Sequence, residues 1–392
     1  MTSKERLMTV LQHKIPDRVP VSTYDMTGWH YDPRDAVMQE NDLNAYVKRE
    51  ISYTYLTGWW NSEPSYAPLM SYLRQKADCL YMTDVPMQNA YVARNTHIEQ
   101  KREGKSTFTR ITLTTPKGDL TQLFRVDDGV YTAWELEHRI KDERDIEKYL
   151  SIPYEPVDPD VSHVFEQEKF LGDRGIMLID IPDPIVEVFG LFSMQDFLMF
   201  SYSEEDLMKK MLDKAFEEQY HFLDTILKKR VGPLFRFSGP EVCCPPYLPN
   251  SFFEKYVVPY DKRLVSLIHE YGQYARIHAH GKVKTVLPYM LDMEVDAIDP
   301  VEAPPSGDCS IAEAKAICGN RITLFGNVQL KDLERMSDKE MRETMIRLME
   351  EGKPNGNFVV LPTATPLNVP LSPRTEENFR IMVDTALEMG TY

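Results

Sequence analysis

Two histidines separated by one residue, His278-Ala279-His280, are the part of this sequence best suited to chemistry. The run that carries them, YARIHAH, is a strand pattern, and on a strand side chains at i and i+2 point to the same face. Both imidazoles therefore project together, at the strand's C-terminal end. Neutral ring nitrogens so placed can hold one metal ion. The alternative is a pair of pocket histidines that hydrogen-bond a substrate without metal.

A carboxylate stands close by in the sequence pattern. The preceding strand, PLFRF, continues into SGPEV and carries Glu241 to the adjacent position on the same rim. Glu, His and His with one open position form a catalytic zinc arrangement. Against this stands a plainer reading, in which Glu241 caps a loop or pairs with Arg236 or Arg276. Cys243 and Cys244 follow at once, but a cysteine pair with no second pair is more often packing than ligation. Nine histidines occur, none of them after His280, so later strands add no imidazole and an amidohydrolase-type site is excluded. His269 falls inside the preceding helix pattern and reads as structural. Asp183, Arg276, Asp299, Asn327 and Thr363 lie at or near other strand ends and are candidate substrate contacts. Tyr24, Trp29 and Tyr247 are candidate pocket walls. No GxSxG motif occurs.

Short apolar runs alternating with helical patterns must position these residues. GIMLIDI (Gly175 to Ile181) is a buried strand, followed by a helix from about Glu204 to Lys229 with Leu207, Met211, Leu212, Ala215 and Phe222 at helical spacing. PLFRF comes next, then a helix from about Ser251 to Tyr271 stopped by Gly272. YARIHAH leads to a helix over Val283 to Leu291, VDAID to one over Ile311 to Cys318, and RITLFG to one from about Asp338 to Glu351. FVVLP and a helix from Thr375 to Met389 finish the chain. Strands alternating with such helices pair in parallel through right-handed crossovers. VPVS (Val19 to Ser22) and DCLYM (Asp78 to Met82) bring the strands to eight, the number that closes a (β/α)8 TIM barrel. The rhythm breaks at about 107–126, where TFTRITLT and LTQLFRV flank a turn at Pro116-Lys117-Gly118-Asp119. This reads as a β-hairpin inserted on the barrel, with residues 1–392 as one domain behind an N-terminal helical extension. No GxGxxG or Walker pattern supports an open doubly wound sheet.

Composition narrows the partners. A hydrophobic fraction of 42% suffices for a large buried core and argues against a disordered chain. A net charge of −16 repels phosphate backbones and anionic lipid, so neither nucleic acid nor membrane is an expected partner. Five cysteines without CxxC spacing speak against a disulfide framework and fit a reducing cytoplasm. The start, MTSKERLMTVLQHKIPDRVP, reads as a charged amphipathic helix without the apolar core of a signal peptide. Barrel-exterior helices offer a surface for a homodimer, though no pattern demands one.

The opening KERLMTVLQHKIPDRVPV, the block SFFEKYVVPYDKRLVSLIHEYG, then RIHAHG and AEAKAICGNRITLFGNVQ resemble the uroporphyrinogen decarboxylase superfamily, in order and over essentially the whole chain. The resemblance implies a TIM barrel and divides the expected function in two. True decarboxylases carry an early arginine motif that grips tetrapyrrole carboxylates. The matching stretch here, PVSTYDMTGWH, has no arginine between Arg18 and Arg34. The coenzyme M methyltransferase branch carries His-x-Cys and a later Cys as zinc ligands. Here His278 matches, His280 replaces the first Cys, and Thr363, Ala364 and Thr365 stand near the second. Imidazole and carboxylate make a harder site, suited to oxygen rather than sulfur. The expected function is accordingly a zinc-dependent methyltransferase, with zinc on Glu241, His278 and His280 polarising the oxygen of a methyl ether while a corrinoid (cobalamin) on a partner protein accepts the methyl group. The alternative is a metal-free decarboxylase acting on a tetrapyrrole or smaller carboxylate, or a retired barrel that only binds.

Overall fold

A computed structural model describes residues 1–23, 64–128, 133–366, 368 and 370–392 of the chain. Its strands are β1 (Cys79–Thr83), β2 (Thr96–Glu103), β3 (Ser106–Thr115), β4 (Gly118–Asp127), β5 (Ala133–Glu137), β6 (Gly175–Pro182), β7 (Leu234–Ser238), β8 (Tyr274–His278), β9 (Ala297–Asp299), β10 (Thr323–Val328) and β11 (Phe358–Pro362). Seven of them, β1-β6-β7-β8-β9-β10-β11, pair in parallel in that order. The others form a separate antiparallel sheet, β2-β3-β4-β5.

The parallel sheet curls. Leu80 of its first strand and Val359 and Leu361 of its last belong to one buried cluster with Leu178, Leu234 and Phe325. Only an inward-turned face brings side chains from both edges together. Leu7, Val10 and Leu11 of the helix Ser3–Leu11 join the same cluster, so this helix packs onto that face. The helix starts at a capping box between Thr2 and Glu5, which satisfies two backbone donors at its N-terminus. The opposite face of the sheet, carrying Tyr81, Ile179, Phe235, Ile277 and Val360, lies in the larger core with the surrounding helices. That double coverage explains the near-continuous apolar strands.

Pro20 to Ser22 bridges the sheet's two edges. The Ser22 N–H donates to the Val360 carbonyl at 2.9 Å and the Val360 N–H to that of Pro20 at 2.9 Å, while the Asp78 N–H donates to Val21 at 2.7 Å. Asp78, fully buried, locks this junction: it takes Arg6 Nη1 at 2.6 Å, Arg18 Nη1 at 2.8 Å and the Val21 N–H at 3.0 Å. The stretch expected as a strand at Val19–Ser22 is thus a short two-sided bridge.

Three further differences from the sequence reading have local causes. The helix expected from Ser251 to Tyr271 is two helices, Asn250–Tyr256 and Val258–Glu270, because Pro259 supplies no N–H to continue the first. The strand YARIHAH ends at His278, and the chain turns away at Gly281, whose φ is +83°. The hairpin expected at 107–126 is the inner pair of a four-stranded sheet. Its turn joins Thr115 to Gly118 across Pro116 and Lys117. The outer strands, THIEQKRE and AWELE, are half-exposed and charged, so they show no apolar alternation to find. No helix among the described residues is long and apolar enough to cross a membrane.

Candidate active site

Strand register puts a polar layer above the apolar one on the inward face. Asp180 aligns with Arg236, Arg236 with Arg276, and His278 with Asp299 across four adjacent strands. These charges neutralise one another. Arg236 Nη1 binds Asp180 Oδ1. Arg276 Nε lies 2.8 Å from Asp299 Oδ1, and its guanidinium stacks over the Phe325 ring at 4.9 Å. Burial pulls the Arg236 guanidinium down to about 10, still protonated at neutral pH. The plainer reading of Glu241, a salt bridge to Arg236 or Arg276, is therefore not what these arginines do: each is matched by an inward aspartate.

His278 closes β8 with its ring buried. Its Nδ1 is 3.0 Å from Asp299 Oδ2. Burial opposes the Asp299 charge, but Arg276, His278 and Arg236 outweigh it and hold the carboxyl well below the usual range. An ionised carboxylate only accepts, so Nδ1 carries the proton. For His278 itself burial wins: the ring is pushed down to about 3, with Arg236 adding to the effect, and is neutral at pH 7. Nε2 is then the basic nitrogen.

His280 lies past the strand end, yet its ring centroid is 4.7 Å from that of His278 and the planes are nearly perpendicular, at 89°. Its Nδ1 is 3.3 Å from Glu302 Oε2, which also accepts the Gly281 N–H at 2.7 Å. Burial lowers the His280 pKa, but the Glu302 bond and the charges of Glu302, Glu241 and Asp299 together raise it. Both histidines thus donate Nδ1–H to a carboxylate, the second-layer arrangement that orients metal-binding imidazoles.

Glu241 reaches the rim through a tight turn. Gly239 has φ +124°, and a Cβ there would sit 2.2 Å from the Val186 side chain, so only glycine fits. The turn Pro240–Cys243 follows directly. Glu241 Oε2 is buried without a hydrogen-bond partner, and burial raises the pKa of the carboxyl. Its chemistry suits a cation. Among the described residues, however, no three His, Cys, Asp or Glu side chains converge on a point where they could hold a metal ion. Imidazole and carboxylate are donor types that zinc takes, but the third donor is not in place.

A cavity of about 690 Å³ opens beside Glu241 and His278, while His280 lies outside its lining. Asp180, Arg236, Ser238, Glu241 and His278 line its floor, and Val186, Glu187 and Leu191 one side. The antiparallel sheet supplies the far wall, with Ile111, Gln122 and Phe124, joined by Arg139 just beyond it. Sequence reasoning missed this wall and the roles of Asp180 and Glu302.

The remaining candidates are dispersed. Asp183 is fully buried and caps the helix Pro184–Phe189, its Oδ1 accepting the Val186 N–H at 2.7 Å. Arg276 lies in the floor's ion-pair layer, outside the cavity lining. Thr363 is buried, and its Oγ1 accepts the Leu330 N–H at 3.3 Å. Asn327 sits on β10, half-buried, and Tyr247 is exposed. Cys243 and Cys244 are buried, and burial pushes both thiols up, so they pack as protonated groups. Tyr24 and Trp29 lie outside the described residues.

Residues 188–388 match the family of uroporphyrinogen decarboxylase (URO-D). No curated protein matches the chain. Among solved structures, a methyltransferase from Methanosarcina mazei superposes with a TM-score of 0.59 at 15% identity, covering 99% of each chain. At that identity the likeness is one of fold. A D-psicose 3-epimerase from Clostridium cellulolyticum H10 aligns with 58% of this chain and 92% of its own, at 10% identity and a TM-score of only 0.32.

Proposed function

We propose a methyl-transfer function for this chain, which belongs to the uroporphyrinogen decarboxylase family. On this reading the curled sheet, completed by the Pro20–Ser22 bridge, is a TIM barrel, and the cavity at its strand ends is the active site. The reaction moves a methyl group from the oxygen of a small methylated compound to a corrinoid carried by a partner protein.

One observation carries the reading: His278, which lines the cleft, and His280 stand ring to ring, each with Nδ1 against its own carboxylate. Asp299 fixes the His278 tautomer so that Nε2 is the donor nitrogen, and Glu302 does the same for His280. Zinc, if held by these two rings and Glu241, would supply a Lewis acid for the ether oxygen. Burial keeps His278 neutral, which favours ligation over protonation. The apolar side chains Ile111, Phe124 and Leu191 exclude water from the ligand's body.

Decarboxylation is the competing reading. It calls for a cation to orient the substrate carboxylate before carbon dioxide leaves, and the floor arginines Arg236 and Arg276 are already matched by Asp180 and Asp299.

Metal content of the purified protein, measured by plasma mass spectrometry beside a His278→Ala/His280→Ala variant, tests the site. One zinc per chain, lost in the variant, together with methylation of cob(I)alamin from a methyl ether, supports the proposal. Methyl transfer by zinc-free His278→Ala protein, or carbon dioxide release from carboxylates by protein that takes up no zinc, overturns it.

A further inference from the structure

One polar side chain stands on a helix face that is otherwise hydrocarbon. In the helix Glu205–Lys228 the buried stripe runs through Leu212, Ala215, Phe216, Phe222 and Leu223, and Gln219 interrupts it. Residues three and four apart share a face, so Gln219 stands with Phe222 and Leu223, and all three line the cavity. Its Nε2 donates to the Pro182 carbonyl at 2.9 Å. A carbonyl only accepts, so that bond fixes the orientation of the amide and leaves Oε1 at its other end. Oε1 is buried and has no hydrogen-bond partner among the described residues. Register gives the span to the imidazole. Pro182 aligns with Ser238 and Ser238 with His278, two strand spacings of roughly 5 Å each. A single six-membered ring with two substituents bridges such a gap.

We propose that Gln219 selects the substrate: its Oε1 accepts a hydrogen bond from an uncharged hydroxyl at the end of the ligand remote from His278. The methyl donor is then a hydroxyl-bearing methyl ether. A buried acceptor left unpaired is costly, and a ligand hydroxyl removes that cost. An ammonium group would donate as well, but Phe222 and Leu223 beside the amide offer a charge nothing in return for its hydration. Asp84, Asp180 and Glu187 also border the cavity, and each is already engaged in polar contacts. The proposal rests on the methyl-transfer reading for the methoxy end of the ligand, but the hydroxyl preference stands or falls by itself.

Isothermal titration calorimetry of the full chain with 4-methoxyphenol and 4-methylanisole tests this without any corrinoid. The two ligands differ only by a hydroxyl against a methyl group of similar size. Apolar transfer alone favours the methyl compound. A preference for the phenol, of about three- to tenfold, therefore reports a hydrogen bond. Gln219→Met keeps the volume, removes the acceptor and should reverse the order; Gln219→Leu gives the same reading should the methionine variant fold poorly. Equal affinities in the unaltered protein, tighter binding of 4-methylanisole, binding of neither compound, or an undiminished preference in the variants overturns the proposal. So does tighter binding of the cation 4-methoxybenzylammonium than of 4-methoxybenzyl alcohol. A preserved preference with no methyl reaching cob(I)alamin would instead count against the reaction and leave the role of Gln219 intact.

Discussion

Asp299 takes the Nδ1–H of His278 at 3.0 Å with one oxygen while its other oxygen holds the buried Arg276. One carboxylate thus fixes both the tautomer of a site histidine and the charge balance of the layer beneath it. Asp299→Asn removes both at once. Removing the charge that faces a buried guanidinium costs up to about 3–5 kcal/mol, and on the proposed zinc reading, loss of the carboxylate behind His278 weakens metal binding by about 10- to 100-fold. Chemical denaturation and zinc titration read these separately. An unchanged zinc affinity would show that Asp299 serves only the fold.

Gly239 is the hinge that turns Glu241 toward the cleft. Alanine there adds a Cβ 2.2 Å from the Val186 side chain at φ +124°. The backbone strain alone is worth about 1–3 kcal/mol. The nearest atom is the Val186 Cβ, so Gly239→Ala/Val186→Gly should recover the part due to the clash and none due to the backbone. Urea midpoints of the single and double variants give the division.

The junction at Asp78 is a stability device far from the site. Its carboxylate is fully buried and joins Arg6, Arg18 and the Val21 N–H. Asp78→Ala takes the carboxylate from Arg18 while Arg6 keeps its two bonds to Asp17, and should cost at most about 3–5 kcal/mol. Limited proteolysis should then cut near the N-terminal helix before it cuts elsewhere. Uniform sensitivity would contradict this.

His269 is paired with Asp296 at 2.8 Å, and Asp296 also accepts the Ala275 N–H at 2.7 Å. The Asp296 hydrogen bond outweighs burial and raises the His269 pKa above its ordinary 6.5. A raised histidine pKa means that the folded state binds the proton more tightly. Its stabilisation is full below pH 6.5 and is lost as pH rises through the folded value. His269→Gln should therefore lower the melting temperature more at pH 6 than at pH 8.

Asp261 also loses stability as pH rises, but as a growing penalty for a charge that has no partner. It is fully buried, both its oxygens lack hydrogen-bond partners, and burial pushes its carboxyl up to about 8. The unfolded chain ionises it near 3.8, so it draws stability away as pH climbs from there toward 8. Asp261→Asn should raise the melting temperature, more at pH 8 than at pH 5. A pH-independent effect would mean that something other than ionisation is at work.

Much of the parallel sheet was legible because its strands are buried on both faces and read as apolar runs between helices of regular length. The inward polar layer was legible in principle: Asp180 in GIMLIDI, Arg236 in PLFRF and Arg276 and His278 in YARIHAH alternate with apolar neighbours, and period two assigns them one face. Each of these charges is flanked by apolar residues on both sides, and that masks the alternation. His280 was placed correctly beside His278, though by the strand's end rather than by the strand. The pairing of Glu302 with His280 and the approach of Arg139 were not legible. No local spacing joins Arg139 to the histidines, since a different sheet folds it toward them. Asp183 looked like a rim residue because helix caps and substrate contacts both favour an aspartate just after a strand.

The cleft has a wall built from a stretch of chain that the main sheet does not need for its own pairing. Random drift in β2–β5 can alter what enters without disturbing the histidines, and mutations at the histidines can alter the chemistry without disturbing entry. A lineage of such chains would diversify its diet by rewriting one contiguous segment, so relatives that process different compounds should vary most between residues 96 and 139 and least around His278.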